Sequence, residues 1–147
     1  MTRDEDGIYH SVEPPEIGAI QDISIASRGE GGVIEGLIIE GSNATIQILT
    51  EYNIRYILAA EGAEIKRQNG ETVTCTMLLS SAFFVLDEEY NEDGLERLIL
   101  HGGGYGHGTG MSQNCAKNMA LKGMAAEEII ECFYHDIEVT KLDEDLI

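Results

Sequence analysis

Residues 102–116 read Gly102-Gly103-Gly104-Tyr105-Gly106-His107-Gly108-Thr109-Gly110-Met111-Ser112-Gln113-Asn114-Cys115-Ala116. Six glycines surround one histidine, and a polar Ser112-Gln113 pair follows. Glycine enters positive-φ regions and lets the backbone approach another group closely. Ordering so many glycines costs conformational entropy that a plain connection would not require. The loop runs into a helix start, where free N–H groups can hold a ligand or an oxyanion. Gly104, Tyr105, Gly106, His107, Gly108, Gly110, Ser112 and Gln113 are therefore the candidate substrate-binding residues.

Each of them has a structural and a chemical reading. His107 either donates to a ligand hydroxyl or moves a proton near neutral pH, or it braces the loop against a backbone carbonyl. Ser112 suits the N-cap of the following helix, leaving Gln113 freer to reach a ligand. Tyr105 either stacks on a ligand ring or packs beneath the loop. The glycines shape the backbone in every case.

Other chemistries fit the chain less well. No register of residues 102–111 gives G-x-G-x-x-G, and no Gly-Lys follows for a phosphate loop. Ser112 and His107 lack the G-x-S-x-G context of a hydrolase nucleophile. His101, His107, Cys115, Cys132 and His135 can be drawn as a zinc set, with Cys132 and His135 as a half-site. No second tight pair accompanies them, and Cys115 and Cys132 fall on apolar faces, where a buried cysteine is the default. The expectation is no metal. Glu51 and Asp87 flank apolar runs and could face a groove, but a solvated surface carboxylate is the default for both. No catalytic residue is assigned.

The elements that must position this loop follow from periodicity. Ile23, Ile25 and Ala26 precede glycines 29, 31 and 32. Val33, Ile34, Leu37, Ile38 and Ile39 run to Gly41, and Ile46, Ile48 and Leu49 alternate over 45–50. Three short strands between glycine turns predict an antiparallel sheet. Ile54, Ile57 and Leu58 share one helical face over 51–60. Asn69-Gly70 predicts a tight turn, and residues 91–94 predict another before a strand at 95–100. After the loop, Met111, Cys115, Met119 and Leu121 predict a helix stopped by Gly123. A second helix over about 125–134 presents Ile129, Ile130 and Phe133, with Glu127 and Glu128 suited to its first turn. A final strand is expected over 137–142. The fold class is α+β: a mainly antiparallel sheet, a short mid-chain helix, and two C-terminal helices after the glycine-rich loop.

The 147 residues suffice for one domain, with a flexible acidic lead-in over 1–17, a folded body over 18–142 and an acidic tail over 143–147. Twenty-seven acidic against nine basic side chains give a net charge of −18. Such a chain repels nucleic acid and anionic membrane surfaces. The acidity reads as a solvated surface or, more sharply, as a docking face for a basic partner. No apolar run is long enough for a membrane span, and no signal peptide opens the chain. Three cysteines leave at most one internal bridge and an undecided redox compartment.

The loop resembles the GxGxGHGxGMSQ signature of the SpoIID/LytB family, the stage II sporulation protein D and related amidase enhancers. Gly102, Gly104, Gly106, His107, Gly108, Gly110, Met111, Ser112, Gln113 and Ala116 match it. Thr109 stands where valine is common and Cys115 where glycine is usual. Leu79-Ser80-Ser81-Ala82-Phe83 is similar to the family's L-P-S-S-x-F segment, and residues 51–58 to its xIRxxL stretch. Residues 127–134 resemble its closing helix, with His135-Asp136 in place of Pro-Gly. The similarity covers roughly residues 20–142, with strong motif content at 102–116.

The resemblance implies cell-wall remodelling outside the cytoplasm. Its spore-type members cleave peptidoglycan glycan strands freed of stem peptides, leaving 1,6-anhydro ends, and others enhance an amidase. The family's catalytic glutamate, and the zinc ligands of its spore-forming subgroup, lie in an upstream helical segment that nothing in residues 1–20 matches. The chain is thus expected to supply the glycine-rich wall of a glycan groove, with no cofactor of its own. The alternative is a non-catalytic glycan-binding or hydrolase-enhancing module. Expected partners are glycan strands, a cell-wall hydrolase or the missing segment.

Overall fold

The computed structural model describes residues 2–3, 9–10, 15–60, 62–75, 77–92 and 94–140. They fall into two compact units, Met1–His107 and Gly108–Ile147. The fold is α+β with antiparallel pairing throughout its described strands, a short mid-chain helix and two C-terminal helices.

The first unit is built on a three-stranded sheet of β3 (Ile20–Arg28), β4 (Ile34–Gly41) and β5 (Thr45–Leu49), with β4 in the middle. Register explains its core. Leu37 lies between Ile25 and Ile48, and Ile39 between Ile23 and Ile46, so two apolar rungs cross all three strands. Such same-face neighbours are the unit of sheet stabilisation. Ile34, Leu37 and Ile54 are fully buried, each contributing about 1.5–3 kcal/mol relative to exposure.

Helix α1 (Glu51–Ile57) presses Ile54 into this core. Its capping residue Thr50 sits at φ 73° and ψ 142°, a costly conformation for a β-branched side chain. At the other end the Arg55 carbonyl accepts the Leu79 N–H at 3.2 Å. That satisfies one of the acceptors every helix end leaves open. The Arg55 Nε donates to the Leu79 carbonyl at 2.9 Å, and its guanidinium pairs with Glu51 at 3.0 Å.

Two hairpins complete the unit. Strands β6 (Glu64–Lys66) and β7 (Thr72–Thr74) pair around the Asn69-Gly70 turn, where the Gly70 N–H donates to the Arg67 carbonyl. Strands β8 (Phe84–Asn91) and β9 (Gly94–Gly102) form the longer hairpin that delivers the chain to the glycine loop. Phe84, Leu86, Leu98 and Leu100 from this hairpin join the core. Its other face carries an ion pair of Arg97 with Glu89 at 2.7 Å and a contact of His101 Nε2 with the Asp87 carboxylate at 2.9 Å.

The lead-in expected over 1–17 falls largely outside the described residues. Within them β1 (Thr2–Arg3) pairs with β2 (Tyr9–His10). Ile17 packs against the core, its carbonyl accepting from the Asn43 N–H at 3.0 Å. The tail at 143–147 lies outside the described residues.

The second unit consists of α2 (Gln113–Leu121) and α3 (Ala126–Phe133). Helix α2 ends in a paired cap. The Gly123 N–H donates to the Ala120 carbonyl and the Met124 N–H to the Met119 carbonyl, with Gly123 at φ 87°. Helix α3 opens with the Glu128 carboxylate accepting the Ala125 N–H at 2.9 Å. Ile129 is its buried residue, while α2 buries none.

Two expectations are corrected here. Residues 137–140 form no strand. The described part of this unit offers only helices, so an extended segment has no ladder to join, and residues 141–142 lie outside the described set. Cys115 and Cys132 are exposed, not buried. The half-buried positions of α2 are Ala116 and Met119, which places Cys115 beside the packed stripe and not on it. Cys75 is the buried cysteine, and all three are free thiols.

Candidate glycine-loop site

The hairpin sets the entrance to the loop. Gly102 is opposite Phe84 at the end of the ladder. A side-chain carbon at Gly102 would lie 2.3 Å from the Phe83 carbonyl oxygen and 2.6 Å from the Phe84 Cβ. Only glycine fits there without moving a strand. The next residue, Gly103, donates its N–H to the Phe83 carbonyl at 3.0 Å, and Gly106 donates to the Ser80 carbonyl at 2.8 Å. Ser81 lies under Gly104, its hydroxyl 3.3 Å from where a Cβ would stand. That hydroxyl also accepts the Phe83 N–H at 2.8 Å. The 79–83 segment therefore forms the seat of the loop's first half.

From there the backbone alternates. Gly104, Gly106, Gly108 and Gly110 have φ of 87°, 111°, 74° and 70°. Every second residue is left-handed, a path that side chains with a Cβ rarely follow. Between them Tyr105 and His107 point outward. Tyr105 is 92% exposed, so of its two expected roles packing beneath the loop is excluded. His107 is exposed as well.

In the second unit the loop ends at Gly110, where an added Cβ would lie 3.2 Å from the Tyr134 hydroxyl. Ser112 is the N-cap of α2, its hydroxyl accepting the Cys115 N–H at 3.3 Å. Gln113 is the first helical residue and is exposed. Of the sequence-selected residues, the first unit holds Gly104, Tyr105, Gly106 and His107 on its loop, and the second holds Gly108 and Gly110 ahead of Ser112 and Gln113 at the start of α2.

The two carboxylates considered for a groove already have partners. Glu51 holds Arg55, and Asp87 holds His101. Among the described residues no three His, Cys, Asp or Glu side chains converge to hold a metal ion.

Sequence reasoning did not find Arg28. A shallow groove of about 370 Å³ in the first unit is lined by Arg28, Phe83, Val85, His101, Gly102 and Gly103, directly before the loop. The Arg28 guanidinium donates to the Gly32 carbonyl at 2.7 Å and the Phe84 carbonyl at 2.6 Å. Phe84 is 56 residues away, so no local spacing signals this arrangement. The one hint is scarcity: nine basic side chains in the whole chain make each a marked position.

A second groove, about 490 Å³, lies between β3 and β8 near the far end of the hairpin. There the Glu88 carboxylate accepts the Ile23 N–H at 3.2 Å and the Tyr90 hydroxyl at 2.5 Å. That hydrogen bond, followed by desolvation and the Glu88 and Asp22 charges, pushes the Tyr90 hydroxyl pKa up to about 12. Both groups are tied to each other, and this end serves to join sheet and hairpin.

Fold and site together define an α+β domain with an antiparallel sheet whose long hairpin presents an exposed Gly-His loop. The chain belongs to the DUF8618 family, a domain of unknown function whose model matches residues 7–110. No curated protein and no solved structure matches it. No helix among the described residues is long and apolar enough to cross a membrane.

Proposed function

We propose that the chain acts on peptidoglycan glycan strands freed of stem peptides, supplying the glycine-rich wall of the substrate groove in a lytic-transglycosylase-type cleavage. One observation carries the reading. The segments similar to the SpoIID/LytB family lie against the glycine loop or against each other. Residues 79–83 seat Gly103, Gly104 and Gly106, and Arg55 of the 51–58 stretch clamps Leu79 from both sides of its peptide. In the second unit Tyr134, at the end of the closing helix, stands over Gly110. Asp136 takes φ 55° where the family has glycine. Aspartate is among the few side chains that tolerate that region.

In the first unit the exposed Tyr105 ring offers a stacking face for a sugar, and the exposed His107 lies two residues along the same loop. Cleavage also needs a carboxylic acid to protonate the leaving oxygen. Glu51 and Asp87 are committed to Arg55 and His101. That favours a second reading for the chain by itself: a glycan-binding or hydrolase-enhancing module. Either role places its work outside the cytoplasm.

Incubation with stem-peptide-free strands, read by mass spectrometry for new 1,6-anhydro ends and by co-sedimentation for binding, separates these readings. Products that vanish in His107→Ala support cleavage. Binding without products supports the module. Binding of no strand overturns cleavage and glycan binding alike, and an unchanged rate of a cell-wall hydrolase on adding the chain overturns the enhancing role.

A further inference from the structure

We propose that Arg28 anchors the free lactyl carboxylate of a muramyl residue, and that this contact distinguishes stripped glycan strands from peptide-bearing ones. The inference rests on the function proposed above and names the group by which that substrate is selected.

The groove before the loop holds a cation under unusual terms. Arg28 is fixed by two neutral carbonyls, at 2.7 Å and 2.6 Å. Among the described residues no carboxylate pairs with it. Within the described residues its charge is left uncompensated, and its plane is already ordered. A guanidinium keeps further N–H donors after two bonds, in a fork that matches a carboxylate. Because the side chain is held in place, little rotamer entropy is lost when an anion arrives. Beside it Phe83 is half-exposed, its ring seated on Gly32, where a Cβ would stand 2.8 Å from Cε2. Val85, also exposed, extends the apolar wall. A fixed cation next to an aromatic face suits a sugar that carries an acid.

Charge gives the specificity. A chain at −18 repels polyanions unless a cation is placed to receive them. On a stripped strand every muramyl residue exposes a lactyl carboxylate. On a peptide-bearing strand that carboxyl is an amide and carries no charge. An arginine at the groove discriminates between the two without touching the peptide.

The test compares binding of the full chain to stripped strands and to the same strands with the lactyl carboxyl converted to its methylamide. Calorimetry at low and moderate salt provides the readout. The expected result is an affinity about tenfold weaker for the amide, the size of one charge-assisted hydrogen-bonded contact. The difference should shrink with salt and disappear in Arg28→Gln. Arg28 also ties Gly32 and Phe84, so Val85→Glu serves as the second variant. It adds a carboxylate to the groove while leaving those bonds intact, and should weaken binding of the acid strand alone. Equal affinity of the unmodified protein for both strands, or equal weakening of both by Val85→Glu, overturns the anchor and leaves the glycan reading standing. Binding of neither strand overturns that reading and the anchor with it.

Discussion

The two units hold themselves together by different means. The first surrounds Ile34, Leu37 and Ile54 with three strands and a helix, all fully buried. The second buries Ile129 alone among its described residues and relies on its helix ends: the Ser112 cap, the paired bonds around Gly123 and the Glu128 carboxylate at the start of α3. Burial is cooperative, whereas each cap stabilises only its own turn. The family match at 7–110 follows the same division, covering the first unit and stopping three residues past its end. Cooperative core and local scaffold meet within the glycine loop, so its two halves should differ in how firmly they are held.

The comparison is broken most directly in the core. Leu37→Ala should cost about 3 kcal/mol in a denaturant melt. Leu121→Ala, at a position 75% exposed in the second unit, should stay within about 0.5 kcal/mol. A loss at Leu121 as large as that at Leu37 would mean that Leu121 is packed and that the second unit is held by more than its helix ends. The loop entrance provides the next test. Gly102→Ala forces a carbon against the Phe83 carbonyl and should cost about 2 kcal/mol. Gly103→Ala meets nothing within 4 Å and has no left-handed φ, so it should change stability by less than about 0.5 kcal/mol.

In the second unit Ser112→Ala removes the α2 cap, at about 1 kcal/mol. Hydrogen exchange should speed up at Cys115 and its helical neighbours and stay unchanged in β4. The smallest effect is at Tyr90. Its hydroxyl pKa is raised from 10.0 to about 12 by the bond to Glu88. A raised folded-state value means a contribution fully present below the unfolded value and lost as pH climbs through the folded one. Melting points of wild type and Tyr90→Phe should therefore differ by a constant margin up to about pH 10 and converge towards pH 12. A margin unchanged at the alkaline end would mean that the bond to Glu88 is not the cause.

Most elements were legible because their signals are local. The β-rich run at 33–39 and the alternation at 45–49 mark the sheet, Asn69-Gly70 the hairpin, and Ser112 and Gly123 the limits of α2. The expected strand over 137–142 failed because a strand is defined by its partner, and residue pattern does not show whether an edge is waiting. Cys115 and Cys132 were misplaced because an apolar-looking face predicts burial only where something covers it. The loop was legible as a run of glycines. Its seat on residues 79–83 was visible only as a second motif, with nothing to show that the two touch. Arg28 carried no signal beyond the scarcity of basic residues, because its bonds reach across the fold to Phe84.

The distribution of thiols has a practical consequence. Cys75 is 3% exposed in the first unit, and Cys115 and Cys132 lie open in the second. Against a thiol-exchange reagent the unmodified protein should release two equivalents quickly and a third only when the sheet-bearing unit opens. The slow phase is then a built-in clock for opening of the first unit. It can be read without any label, and a glycan bound at the Arg28 groove, in the same unit as Cys75, should slow it.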